Sequence, residues 1–205
     1  MSKITLQRNK LILVEGRDAL NFIIWALEAY DLDDFHVLDF GGINDLDKYL
    51  KTLTLVDGFD RIESIVVIRD AESDHSQATS SVIRALKGCG LPSPNEPFGV
   101  EQGPPKVAFM LFPGFDVDGK ILNGTLEDLC LSTINDNILQ RADEYVEDIN
   151  QNHQKVRHKH KAKLHAYLSA KNEYVGAKLG EAAKFGAWDW KAASLIPFKK
   201  ILEAI

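Results

Sequence analysis

Four short apolar runs, several of them nearly unbroken, punctuate the chain up to residue 112: "LILV" (11–14), "FHVLDF" (35–40), "SIVVIR" (64–69) and "KVAFMLF" (106–112). They constrain the fold more than any other feature. A strand with one wet face alternates polar and apolar residues. A strand apolar at nearly every position is buried on both faces, as in a parallel sheet covered by helices. The intervening segments carry helical periodicity. "DALNFIIWALEAY" (18–30) sets Leu20, Ile23, Ile24 and Leu27 on one stripe, and "NDLDKYLKTL" (44–53) does the same with Leu46, Leu50 and Leu53. "SQATSSVIRALKG" (76–88) stops at Gly88, a C-cap residue. Strands alternating with helices, joined by right-handed crossovers, predict an α/β, Rossmann-like fold with a mostly parallel four-stranded sheet flanked by helices.

Residues 89–105, "CGLPSPNEPFGVEQGPP", hold five of the seven prolines and read as a long loop. After residue 112 the turn-rich "PGFDVDGKILNG" leads to Thr125, an N-cap before "LEDLCLSTI". The charged stretch 142–170 is helix-compatible, and "WDWKAASLIPFKKILEAI" closes the chain as one or two amphipathic helices, with Pro197 at a kink or break. The division that follows is an α/β domain at 1–130 and a helical C-terminal extension at 131–205 packed on it.

Composition narrows the function classes. With 205 residues, 45% of them hydrophobic, the chain can bury a full core, and its net charge of -6 gives no overall pull toward nucleic acid beyond what a local basic patch supplies. Cys89 and Cys130 form no CxxC or zinc spacing, which suits a reducing, cytoplasmic setting. The start "MSKITLQRNK" lacks a signal-peptide core, and no apolar run approaches the ~20 residues that span a bilayer, so no membrane is expected among the partners. There is no Walker A motif; an ATPase, if one is needed, comes from a separate protein partner.

The chemistry-bearing residues sit where the strands end. In an open α/β sheet, ligands bind beyond the carboxyl ends of the strands. Glu15 follows the first run; Asp70 and Glu72 follow the third, in "VVIRDAESD", with Asp74 two further on. A spacing of two in extended chain puts Asp70 and Glu72 on one face. If strands one and three are neighbours, these acids share a crevice. Crowded carboxylates resist ionisation unless a cation joins them, and Mg²⁺ takes such oxygen ligands. Each acid also has a plain structural role open to it: Asp74 and Asp18 as helix caps, Glu127 as a first-turn acid facing the helix dipole. Gly41-Gly42 reads equally as a turn, "DVDG" (116–119) as a turn rather than a calcium loop, and the basic run 155–163 as a solvated helix face. His158 and His160 are two apart and fall on different helix faces, against zinc.

"LVEG" after the first strand and "VVIRDAESD" after the third resemble the Toprim domain. Within it the chain looks most like small stand-alone proteins related to the overcoming-lysogenization-defect nucleases. The resemblance covers about residues 9 to 130 and implies a Toprim-like fold with Mg²⁺, or Mn²⁺, at a carboxylate cluster. It implies metal roles for Glu15, Asp70, Glu72 and Asp74, with Glu72 standing where the family has a second aspartate. "TLEDL" makes Glu127 a further candidate ligand. Lys161 and Lys163 are candidate catalytic lysines beside Glu15, which doubles as general acid or base. Lys155, Arg157 and Lys159 are candidate phosphate contacts, helped by His158, His160 and His165. The family's acid four residues after the first glutamate is replaced by Ala19, with Asp18 one position earlier. The leading expectation is metal-dependent phosphodiester hydrolysis of DNA or RNA. The alternative is a catalytically degenerate module that binds nucleic acid or a protein partner; a third class is a phosphohydrolase of small molecules.

Overall fold

The computed structural model describes residues 4–205. The apolar runs form β1 (Lys10–Glu15), β2 (Phe35–Gly41), β3 (Ser64–Asp70) and, after a two-residue strand β4 (Val100–Glu101), β5 (Lys106–Phe112). The order is β2-β1-β3-β5-β4; all pairings are parallel except the antiparallel edge pair β4–β5. The sheet thus has five strands, not the expected four, the fifth lying inside the stretch read as loop. Leu11 to Val14, Ile65 to Ile68 and Val107 to Leu111 are fully buried, as continuous apolar strands require.

The pleat divides these side chains between two cores. Ile12, Val14, Val66, Ile68, Ala108 and Met110 face α1 (Gly16–Ala29) and the C-terminal helices, whereas Leu11, Leu13, Ile65, Val67, Val107 and Phe109 face α2 (Leu46–Leu53) and α3 (His75–Gly88). The first core also takes residues from α4 (Leu126–Ser132), α5 (Asn137–Asn152), α6 (Lys159–Ser169), α7 (Leu179–Lys184) and α8 (Ile196–Ala204). Each such side chain, fully buried, contributes about 1.5–3 kcal/mol. Among the described residues no helix is long and apolar enough to cross a membrane.

Several local expectations are corrected. α1 begins at Gly16, so its buried stripe is Ala19, Phe22, Ile23, Ala26 and Leu27, and Ile24 is 41% exposed. Gly88 is the last residue of α3; the left-handed glycine behind it is Gly90 (φ +69°). The charged stretch 142–170 is two helices, α5 and α6. They are separated at 153–158, where Asn150 Oδ1 accepts from the Val156 N–H at 3.1 Å. Pro197 is the second residue of α8 and starts that helix rather than kinking it.

Candidate functional site

β1 and β3 are neighbours, and the strand order reverses between them: β2 lies on one side of β1, β3 and β5 on the other. That is the switch point where the crossovers leave by opposite faces and a crevice opens beyond the strand ends. Glu15 ends β1 and Asp70 ends β3. On the pleat Glu15 follows Leu13 and Arg69 follows Val67, so these two share the α2–α3 face, while Asp70 takes the other. Arg69 Nε accordingly stands 3.5 Å from Glu15 Oε2 and donates to the Asp70 carbonyl at 3.3 Å. Glu15 Oε2 is buried and has no hydrogen-bond partner. The turn behind Glu15 is held by Asp39, whose Oδ1 accepts from Gly16 N–H (2.9 Å) and Gly41 N–H (2.8 Å). Gly16 and Gly41 both have φ in the left-handed region. Gly41-Gly42 is the turn: a side chain at Gly41 would sit 2.9 Å from Asp45 Oδ2.

Asp70 does two things at once. Its Oδ1 accepts from Leu126 N–H at 2.9 Å, so it caps α4 across 56 residues of chain. Thr125 is the N-cap residue of α4, as expected, and closes a capping box in which Asp128 Oδ2 accepts from its hydroxyl (3.1 Å) and its N–H (2.8 Å). The Asp70 carboxyl is pushed up to about 8, chiefly by desolvation and then by the charges of Glu15, Glu127 and Glu72, against the lowering effect of the Leu126 bond. Glu15 is likewise raised by burial, which Arg69 opposes and Glu72 and Asp39 reinforce. The buried Cys130 lies under the same acids, its thiol pushed up by burial and by Glu127, Asp18 and Asp70.

Glu72 reaches this group by a different route from the one its spacing implied. The strand ends at Asp70, and Glu72 has φ +56°, so the same-face rule for extended chain does not apply to it. Its exposed side chain is set by a two-way backbone pairing with Gly124 (2.8 and 2.7 Å). Asp74 acts as the cap it resembled: its Oδ1 accepts from Ser76 and Gln77 N–H at 2.9 and 3.0 Å at the start of α3. Asp18 sits in the first turn of α1, and its Oδ1 accepts from Gly180 N–H at 3.3 Å. Among the described residues, no three acidic, histidine or cysteine side chains already converge to hold a metal ion.

The lysines separate cleanly. Lys161 Nζ lies 3.5 Å from Glu127 Oε1, which brings it to the cluster. Lys163 pairs with Asp143 on α5, and Lys159 meets both Glu147 oxygens at 2.7 and 2.8 Å, so both are engaged between α5 and α6. Lys155 and Arg157 are exposed on the turn between those helices. His158 precedes α6, so the helical-face argument does not hold for it, and its ring lies 6.1 Å from that of His160. "DVDG" is a turn, with Asp116 Oδ1 accepting from Asp118 and Lys120 N–H.

Sequence reasoning missed Asp39 and Arg69. Both were visible as charges inside otherwise apolar runs, "FHVLDF" and "SIVVIR". The chain matches, over residues 9–205, the family described as "Protein of unknown function (DUF3226)", and it belongs to that family. No curated protein and no solved structure matches it.

Proposed function

We propose that this member of the family is a Mg²⁺-dependent phosphodiesterase acting on nucleic acid, with Asp70, Glu72 and Glu15 as its metal-holding carboxylates. One observation carries the reading: the partly buried carboxyls of Asp70 and Glu15 end the neighbouring strands β3 and β1 at the switch point of the sheet, where burial and neighbouring acids raise the pKa of both. Such a pair gains when a divalent cation joins it. The donors suit Mg²⁺ and, by the same oxygen chemistry, Mn²⁺. Glu15 Oε2 has no hydrogen bond and Asp70 uses only Oδ1. These uncommitted oxygens suit an ion bound by one or two carboxylates, with water and substrate phosphate completing its shell. The likeness of "LVEG" and "VVIRDAESD" to the Toprim pattern points the same way.

When bound, Mg²⁺ supplies Lewis-acid polarisation of a phosphate oxygen. Glu15, with its raised pKa, serves as the proton donor or acceptor. Lys161, beside Glu127, offsets charge growing on the phosphate. Lys155 and Arg157 supply phosphate contacts for the rest of the strand. The test is incubation with supercoiled plasmid, single-stranded DNA and structured RNA in Mg²⁺, Mn²⁺ or EDTA, alongside Glu15→Gln and Asp70→Asn. Metal-dependent cleavage lost in both variants supports hydrolysis.

A second reading rests on Arg69. A fixed guanidinium already faces Glu15, and no three donors converge among the described residues, which suits a module that binds nucleic acid or a protein partner without cutting. No cleavage of any substrate, with no Mg²⁺-dependent rise in Tm, selects it.

A further inference from the structure

Arg69 is 2% exposed, yet its guanidinium is under-used. Only Nε is engaged, by the Asp70 carbonyl at 3.3 Å and, more distantly, by Glu15 Oε2 at 3.5 Å. Among the described residues the two terminal amino groups make no hydrogen bond. A guanidinium carries five N–H donors in a planar fork, and Arg69 borders open space into which its unengaged donors can receive an oxyanion.

Arg69 borders a cleft of about 270 Å³ between the β2–α2 turn and α3. Its strand position puts it on the face those helices cover. Along α3, positions 74, 77, 81 and 84 fall on one stripe. Gln77, Ser81 and the exposed Arg84 line the cleft from that stripe, and Asn44 lines it from the β2–α2 turn. At 1.5 Å per residue, Arg84 lies about 15 Å along the helix from Asp74. Glu72 and Asp74 also border the cleft, and Asp74 Oδ1 is already occupied by two backbone N–H groups. The cleft therefore runs from carboxylates toward amide, hydroxyl and guanidinium donors.

We infer that this cleft binds a phosphate group, with Arg69 gripping two of its oxygens and Arg84, Ser81 and Asn44 completing the donor set. Arg–phosphate forks are the strong form of such contacts. The inference rests on the phosphodiesterase reading in assigning this phosphate to the substrate next to the one cleaved; the anion site itself needs no metal.

The test is calorimetric titration in EDTA with inorganic phosphate, thymidine 5′-monophosphate, thymidine and a short oligothymidylate. Wild type is compared with Arg69→Lys, Arg84→Ala and Ser81→Asp, each checked for fold by circular dichroism. The phosphate-bearing probes should bind and thymidine should not. Arg69→Lys, which keeps the charge and loses the fork, and Ser81→Asp, which puts a negative charge in the cleft, should each weaken binding at least tenfold. Arg84→Ala should weaken it several-fold. A strong preference for oligothymidylate marks a nucleic-acid strand as the source; equal binding of all three phosphates marks a free or mononucleotide phosphate. Absence of binding to wild type, or binding indifferent to Arg84→Ala and Ser81→Asp, overturns the inference. Because no metal is present, phosphate binding without Mg²⁺-dependent cleavage would defeat the hydrolase reading alone. Cleavage indifferent to these variants, with no phosphate bound in EDTA, would defeat the cleft alone.

Discussion

Replacing Asp70 with Asn should stabilise the protein, and should do so more strongly as pH rises. The carboxyl stands at about 8 when folded against an ordinary value of 3.8. Between those values the folded protein holds a proton that the unfolded chain has released. The contribution of this one group to stability is therefore fully present below 3.8 and is lost progressively as pH rises through about 8. The slope cannot exceed about 1.4 kcal/mol per pH unit, so moving from about pH 5 to pH 7 costs at most about 2.7 kcal/mol. In a chain of this size that is about 5–10 °C in Tm. Asn keeps an oxygen to accept from Leu126 N–H and has no charge to desolvate. Melts of wild type and Asp70→Asn at several pH values in EDTA should diverge, the variant gaining on wild type from pH 5 to pH 8. Adding Mg²⁺ at the upper end should close the gap by stabilising wild type alone. Parallel pH profiles for the two proteins would refute the burial argument; a gap that Mg²⁺ leaves unchanged would remove the ion from Asp70.

The other expectations concern how neighbouring residues divide their work. Asp74→Ala should lower stability by about 1 kcal/mol through loss of the α3 cap, measured by urea unfolding, and should leave the Mg²⁺-dependent rise in Tm intact; if that rise vanishes, Asp74 is a ligand. Lys161→Ala should slow metal-dependent cleavage at least about tenfold, whereas Lys163→Ala, which removes a partly exposed ion pair to Asp143, should cost under about 1 kcal/mol of stability and spare the rate. Gly180→Ala would push a Cβ to 2.5 Å from Asn21 Cβ, where α7 meets α1, and should destabilise by about 1–3 kcal/mol in the same unfolding assay. An unchanged midpoint there would mean that α7 shifts away freely.

What could be read from the sequence followed from periodicity, and what could not was decided by contacts across long separations. Leu11 to Val14 and Ile65 to Ile68 identify themselves as parallel strands because both faces are apolar. The edge strand Val100–Glu101 is too short to show any period and sits among prolines. The break between α5 and α6 falls in "HQKVRH", without a glycine or proline to announce it; a side chain of α5 catches the turn, and Lys159 reaches back to Glu147. In the site, the ends of apolar runs located Glu15 and Asp70, but no spacing rule ties Asp70 to Leu126. Glu72 escaped the extended-chain rule because its partner, Gly124, lies beyond two further strands.

The charge balance around Asp70 explains why one site can carry both readings. Glu15, Glu72 and Glu127 act on Asp70, Asp39 acts with Glu72 on Glu15, and among the described residues Arg69 and Lys161 pair with this group. With every group ionised, five carboxylates face these two cations. Without an ion, the protein reduces this excess by keeping a proton on Asp70. A single divalent cation would offset most of it and release that proton. Mg²⁺ affinity should therefore rise with pH until Asp70 is ionised, near pH 8, and level off above it. Asp70→Asn has no such proton to release and should show weak binding with a flatter profile. Calorimetric titration of Mg²⁺ at pH 6, 7 and 8, in buffers of different ionisation enthalpy, counts the protons released directly. Binding that releases none and ignores pH would mean that Arg69 and Lys161 already balance the cluster, and the cation would then belong elsewhere.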